Sequence, residues 1–230
     1  MVEAIKACYS VDKNICTQCG GKKINYGKTV YGIQRTFCKN CKKTSVVAYC
    51  NKAKESYINP VLVSLLKEGC GIRSISRLLC ISTNTVLTRI KSIAKNIQPP
   101  TLSLHKEYEI DELYTYAGSK THKIWVVSAW EKATKKIVRF ASGKRTNKTL
   151  KKVVRDVLVS QPQQICTDKL QNYYSLIPEA IHNTAKKAIQ NLERMHLTLR
   201  THIKRLNRKT LAFSKNTFML DAVLKIYLWN

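Results

Sequence analysis

The 230-residue sequence predicts a multidomain α/β protein, and three observations carry that expectation. Two Cys-x-x-Cys pairs mark a small module near the start, the hydrophobic period turns helical near Asn59, and strand patterns alternate with helix patterns beyond Pro99-Pro100. The expected domains are 1–50, 51–98 and 99–230.

Cys16-Thr-Gln-Cys19 and Cys38-Lys-Asn-Cys41 are separated by 18 residues. Each pair sets two sulfurs on one side of a tight turn, and two facing turns give the tetrahedral four-sulfur site that zinc prefers. Ile24 to Phe37, broken by Gly27 and Gly32, reads as short strands between the turns, so this module is expected to be a zinc ribbon with Cys16, Cys19, Cys38 and Cys41 as ligands. The remaining cysteines, Cys8, Cys50, Cys70, Cys80 and Cys166, have no partner at useful spacing and read as small buried hydrophobes.

Val61, Leu62, Leu65 and Leu66 pattern a helix that stops at Gly69. Ile72, Ile75, Leu78 and Leu79 pattern a second helix, and Val86, Leu87, Ile90 and Ile93 a third. Between them Cys80-Ile81-Ser82 is a compact turn with Ser82 as N-cap. Helix, short turn and helix form a helix-turn-helix, with Thr83, Asn84, Thr88, Arg89, Lys91 and Ser92 turned from the apolar stripe toward DNA. An ordinary helical hairpin with a solvated face is the competing reading.

Gln98-Pro99-Pro100-Thr101 reads as an extended linker. Beyond it, 107–117, 123–130 and 136–141 are strand candidates, 147–160 a helix, Gln164-Ile165-Cys166-Thr167 a short strand ending at Asp168, and 188–206 a long helix. Three meandering strands, a helix, a fourth strand and later helices outline a ribonuclease H-like domain.

Charge narrows the function. The chain holds 41 Lys+Arg against 14 Asp+Glu, for a net +27, and the basic residues run throughout rather than in one tail. Such a field attracts phosphate-rich partners, so nucleic acid is the expected partner. A hydrophobic content of 44% excludes a wholly disordered chain. No stretch reaches ~18 uninterrupted apolar residues, and 1–10 is too short and polar for a signal peptide, so a soluble intracellular location without a membrane partner is expected.

Where acids are scarce, their placement is informative. Asp111 lies mid-strand, Asp168 at the carboxyl end of the fourth strand, and Glu193 on the long helix. Oxygen ligands gathered at one partly open site suit Mg²⁺ or Mn²⁺ and phosphodiester chemistry. Each acid also has a plainer role. Asp168 can cap the residues after it, Glu193 can pair on the helix surface with Lys186, Lys187 or Arg194, and Glu109 or Glu112 can serve in place of Asp111. His196 and His202 read as packed or surface histidines.

Several segments together resemble the transposases of the insertion sequence 1 family, in order and over nearly the whole chain. They are the ribbon stretch Tyr26 to Thr44, Gly71-Ile-Arg-Ser-Ile-Ser-Arg-Leu-Leu with Asn84-Thr-Val-Leu, Asp111-Glu112 with Tyr114 and Tyr116, Thr167-Asp168 with Tyr174, Leu192-Glu193-Arg194 with Leu199-Arg200, and Leu211-Ala-Phe-Ser-Lys215. The resemblance implies a DDE-type transposase with a ribonuclease H-like catalytic domain, whose three acids match Asp111, Asp168 and Glu193. It implies structural Zn²⁺, catalytic Mg²⁺ or Mn²⁺, double-stranded DNA as partner at the terminal inverted repeats and the target, a homo-oligomer at synapsis, and a prokaryotic, nucleoid-associated cytoplasmic setting. Arg194, Arg200, Lys204, Arg205 and Arg208 are expected along the DNA backbone near the acids. Two departures stand out. Ribbon, helix-turn-helix and catalytic half share one reading frame here, and Met195 follows Arg194 where the family often has histidine. The competing functions are a DNA-binding regulator without catalysis and a nuclease without strand transfer.

Overall fold

The computed structural model describes residues 14–46, 52–185 and 187–230. Two compact units divide at Glu55/Ser56. Cys8, Cys50 and Lys186 lie outside the described residues.

The first unit is a three-stranded antiparallel sheet in the order β1 (Lys23–Lys28), β2 (Gln34–Cys38), β3 (Thr44–Val46). The register of β1 on β2 shifts between Asn25 and Lys28, where Gly27 takes a positive φ of 67° that an L side chain rarely adopts. Tyr26 and Phe37 stack beside the shift with ring centroids 5.3 Å apart.

The second unit opens with α1 (Ile58–Lys67), α2 (Ile72–Leu79) and α3 (Thr83–Asn96). Ile58, Leu62 and Leu66 recur one turn apart and are buried, as are Ile75 and Leu79 on α2 and Val86, Ile90 and Ala94 on α3. Cys80 ends α2 in the left-handed conformation, and Ser82 caps α3 by accepting the Thr85 N–H at 3.1 Å. Two helices joined by a short turn therefore stand where the sequence places them, an arrangement that a plain helical hairpin shares. Gly69, at φ 75°, ends α1 where a Cβ would stand 2.2 Å from the His202 carbonyl oxygen, so only glycine fits there.

The five-stranded sheet contains β4 (Glu107–Tyr116), β5 (Lys123–Glu131), β6 (Lys136–Gly143), β7 (Gln164–Thr167) and β8 (His182–Asn183), in the order β6-β5-β4-β7-β8. The β4–β5 and β5–β6 pairs are antiparallel, and the β4–β7 and β7–β8 pairs are parallel. Between β6 and β7 runs α4 (Asn147–Val159), whose Leu150, Val153, Val154 and Val157 are buried with Tyr108, Ile110, Val127, Ala129 and Val138 of the sheet. Full burial of each such aliphatic side chain stabilises by roughly 1.5–3 kcal/mol before the entropy of ordering it is counted. The short α5 (Gln171–Tyr174) adds Tyr173 to this core.

On the other face lies α6 (Gln190–His202), with Leu192, His196 and Leu199 buried. The helix expected over 188–206 is shorter than its apolar pattern, because Ile203 leaves the helical region at φ −100°, ψ 91° and a 3-10 turn, Lys204–Leu206, follows. The segment after it runs back along the end of β4. Tyr116 Oη donates to the Thr210 carbonyl at 2.7 Å, and Gly118 N–H to the Ser214 carbonyl at 2.8 Å.

The last helix, α7 (Thr217–Trp229), is capped by the Asn216 side chain and buries Met219, Leu220, Ala222, Val223, Leu224 and Ile226. Residues so distributed cover most of its circumference, and the reason is its position: α7 packs on α1 and α3 as well as on β6. Trp229 Nε1 donates to the Ile137 carbonyl of β6 at 2.8 Å, and Lys67 Nζ of α1 to the Asn230 carbonyl at 2.7 Å. The boundary expected at 98/99 consequently falls inside one compact unit.

The cysteines outside the ribbon pairs do not share one environment. Cys166 is buried as expected, but Cys70 is half-buried and Cys80 is exposed, the latter because the left-handed helix end turns it out of the stripe that buries Leu79. Among the described residues no helix is long and apolar enough to cross a membrane.

Candidate functional site

The ribbon cysteines converge as their spacing predicts. Cys16 and Cys19 flank a turn closed by Gly20 N–H on the Cys16 carbonyl, and Cys38 N–H bonds to the Lys43 carbonyl around the second turn. The Sγ atoms of Cys16 and Cys41 lie 3.6 Å apart and those of Cys19 and Cys38 3.5 Å apart, with all four within 4.8 Å of one another. A tetrahedron with ~2.3 Å metal–sulfur bonds has edges of about 3.8 Å, so the four thiols fit zinc. Backbone N–H groups of Gln18 and Cys19 bring the Cys16 thiol down to about 6. The Cys41 N–H lowers Cys38 as well. At Cys19 the Gly21 N–H lowers the thiol, but the crowding sulfurs of Cys38 and Cys41 outweigh it and push Cys19 up to about 11. Four sulfurs this close cannot all carry charge without a cation among them.

The acid site follows from strand register. Ile110 of β4 pairs with Thr167 of the parallel strand β7, so the residues that follow them, Asp111 and Asp168, stand side by side at the carboxyl end of β7. Carboxylate oxygens of Asp111, Glu112 and Asp168 lie within 4.8 Å of one another. The donor set is all oxygen, with the Asp168 side chain the most exposed of the three at 36%, which fits a hard divalent cation such as Mg²⁺ or Mn²⁺.

The three acids are held differently. Asp168 Oδ1 accepts the Leu170 N–H at 3.0 Å, a local turn ahead of α5 rather than a cap on it, since Leu170 is the N-cap and α5 has no side-chain cap. Glu112 is gripped on both oxygens, Oε1 by Tyr173 Oη at 2.5 Å and Oε2 by Arg145 Nε and Nη2 at 3.0 and 2.8 Å. Its side chain is only 2% exposed, and burial pushes its carboxyl up despite the lowering effect of Tyr173 and Arg145. The same Arg145 reaches Asp168 Oδ2 at 4.0 Å. Neither Arg145 nor Tyr173 has a motif to announce it, since one precedes α4 and the other sits on a one-turn helix.

On the opposite face of β4, Asp111 Oδ2 meets His196 Nδ1 of α6 at 3.4 Å, and His196 Nε2 lies 3.2 Å from Ser128 Oγ. Glu109, two residues before Asp111, is 1% exposed and accepts Asn191 Nδ2 at 2.7 Å and Leu192 N–H at 2.8 Å. It closes the start of α6, where a negative group also meets the positive end of the helix dipole. Glu109 is thereby occupied, which leaves Glu112 as the neighbour gathered with Asp111. Glu193 is exposed on the first turn of α6 and stands outside the group formed by the other three acids.

The residues expected to face DNA divide in the same way. On α3, Thr83, Asn84, Thr88, Lys91 and Ser92 are exposed and Arg89 is half-buried. Arg194, Lys204 and Arg208 are exposed, whereas Arg200 donates from both Nη atoms to the carbonyls of Leu206 and Tyr114, at 2.8 and 3.1 Å. Arg205 donates to Ser214 Oγ at 3.0 Å, and burial lowers its guanidinium. His202 contacts Tyr227 Oη at 2.7 Å, away from the acids.

Residues 107–230 match the model of the family described as IS1 transposase. The chain is 32% identical over 120 residues to the insertion element IS1 protein InsB of Shigella flexneri, covering 52% of this chain and 92% of that one. It is also 32% identical over 140 residues to the IS1 4 protein InsB of Escherichia coli strain K12, covering 61% and 83%. A chain in the structure of a simian T-cell lymphotropic virus intasome in complex with the PP2A regulatory subunit B56 gamma aligns over 70% of this chain and 66% of its own at 17% identity and a TM-score of 0.39, too slight a likeness to assign the fold.

Proposed function

The chain belongs to the IS1 transposase family, and from that premise we propose that it binds the terminal inverted repeats of an insertion sequence and carries out metal-dependent cleavage and strand transfer of DNA. The observation that carries the proposal is the side-by-side placement of Asp111 and Asp168 on adjacent parallel strands. The strand order β6-β5-β4-β7-β8, with three antiparallel strands extended by two parallel ones, supports a ribonuclease H-like reading of the catalytic half.

In this reading Asp111 and Asp168 hold the catalytic cations and Glu193 completes the set. Glu193 precedes His196 by three residues and so neighbours it on the surface of α6, whose His196 meets Asp111. Divalent ions held by these acids would supply the Lewis acidity that activates an attacking oxygen and offsets charge on the phosphate. Arg194 and Lys204, exposed on and just after α6, hold the phosphodiester backbone. Arg200 supports them indirectly, by fixing the turn after α6. Thr83, Asn84, Thr88, Arg89 and Lys91 on α3 read the element ends, with the zinc-loaded ribbon contributing to the same recognition. The protein works on bacterial DNA at the nucleoid, in an assembly of more than one copy that joins two ends.

The test uses labelled element ends with Mg²⁺ and the Asp168→Asn variant. Joined products from the native chain support transposition, cleavage alone a nuclease, and binding alone a regulator. Asp168→Asn is expected to keep end binding and lose cleavage. Persistence of cleavage at near the native rate removes Asp168 from the chemistry. End binding is also expected to fall steeply with salt, by ~10³–10⁵ between 50 and 200 mM if ~6–10 phosphates are contacted.

A further inference from the structure

Asp111 and Ser128 stand directly opposite each other on the antiparallel strands β4 and β5, and His196 of α6 closes over both. The histidine is 7% exposed and the serine 1%. A neutral imidazole donates from one ring nitrogen and accepts at the other. A carboxylate only accepts, so Nδ1 is the donor toward Asp111 Oδ2, and the Ser128 hydroxyl, which can donate or accept, meets Nε2. The connectivity Asp–His–Ser is that of a nucleophilic triad, yet Ser128 is sealed from any substrate. What remains for the serine is to fix the plane of the ring.

We propose that His196, set by Ser128, is a positioning residue that holds the Asp111 carboxylate in the orientation that binds the catalytic cation. The inference rests on the reading of Asp111 as a cation ligand. At 3.4 Å the Nδ1–Oδ2 contact closes to a hydrogen bond with a small turn of the carboxylate, of the kind that substrate or metal binding brings about. One oxygen is then anchored, and the carboxylate is held within the group it forms with Glu112 and Asp168. Partners of metal-binding carboxylates and histidines characteristically change metal affinity or activity by ~10–100-fold when removed.

The experiment measures Mn²⁺ binding to the full chain by electron paramagnetic resonance, without DNA and with the ribbon zinc-loaded, alongside a thermal melt. His196→Leu is expected to weaken Mn²⁺ binding ~10–100-fold. Ser128→Ala should weaken it less, in the same direction. His196→Asn, whose amide nitrogen takes the place of Nδ1, should stay near the native affinity. Native affinity in His196→Leu, while Asp168→Asn loses Mn²⁺, overturns the positioning role and leaves the acid site standing. Equal weakening in His196→Asn and His196→Leu overturns it too, since packing alone is then at stake. If the melt shows that His196→Leu does not fold, Ser128→Ala decides, and unchanged affinity there overturns the role. Native Mn²⁺ binding that Asp168→Asn does not disturb defeats the acid-site reading itself, and the positioning role with it.

Discussion

The Glu109 carboxylate accepts the Leu192 backbone N–H at 2.8 Å, so the strand that bears Asp111 also fixes where the helix bearing Glu193 begins. A buried acid in so basic a chain invites a catalytic reading. Its two oxygens, however, are spent on Asn191 and Leu192, and its work is structural.

Removing that carboxylate leaves the buried Leu192 N–H on the first turn of α6 without its partner. Such a loss costs about 1–3 kcal/mol. Glu109→Ala is therefore expected to lower the melting temperature by several degrees, at ~2–4 °C per kcal/mol for a unit of this size. Asn191→Ala, which removes one bond and leaves Leu192 capped, should cost less. Calorimetric melts of the two variants check the order, and equal losses would show that the contact to Leu192 carries no special weight.

Glu112 and Glu193 are rival third acids, and their surroundings separate them. Glu112 lies with Asp111 and Asp168 but is held by Arg145 and Tyr173, whereas Glu193 is exposed and unencumbered by those two residues. If Glu193 completes the site, Glu193→Gln abolishes cleavage of element ends while Glu112→Gln mainly loosens the packing of Arg145 and Tyr173 and lowers the melting temperature. Cleavage assays and melts on both variants decide, and the reverse pattern transfers the third position to Glu112.

How much of this site was legible in the sequence depended on how local each signal was. The four ribbon cysteines are fixed by two turns of short range, so their spacing was enough. Strands β4 to β7 were legible to within about two residues, because alternating apolar residues and turn residues are themselves local. Asp111 and Asp168 were singled out by scarcity and by their strands, but their adjacency depends on the pairing of Ile110 with Thr167, which no nearby residue reports. Arg145, Tyr173 and Ser128 were missed for the same reason: each acquires its partner across the sheet or from another element. α7 lacked the one-sided stripe of a surface helix, since it is packed on several sides at once.

The ribbon gives a metal-linked prediction. With Cys16 low and Cys19 high, the free site at neutral pH is a mixture of thiolate and thiol, and cation binding must displace the remaining protons. Zinc affinity is expected to fall as pH drops toward 6 and below, because protons then compete even at Cys16. Cys38→Ser should release zinc and impair end recognition without touching the acids. Zinc content by atomic absorption, paired with end binding, tests both statements.

Asp221 supplies the pH dependence of stability. It sits on α7, its Oδ1 and the nearby Ser142 Oγ are both buried without a well-formed hydrogen bond, and burial pushes its carboxyl up more than the Ser142 hydroxyl and the charges of Lys225 and Lys152 pull it down. A carboxyl raised in the folded state favours that state in its protonated form. The penalty is therefore absent below the ordinary carboxylate range, grows as pH rises toward the folded value, and is complete above it. Asp221→Leu removes a buried group whose desolvation is only partly offset, and is expected to stabilise the protein by about 1 kcal/mol at pH 7 to 8. That gain should shrink as the pH is lowered through the ordinary carboxylate range, and is least below it, where the carboxyl is neutral in both states. Denaturant unfolding of the two proteins across this range measures the effect, and a gain that grows toward low pH would mean that the charged form of Asp221 is favoured by the fold after all.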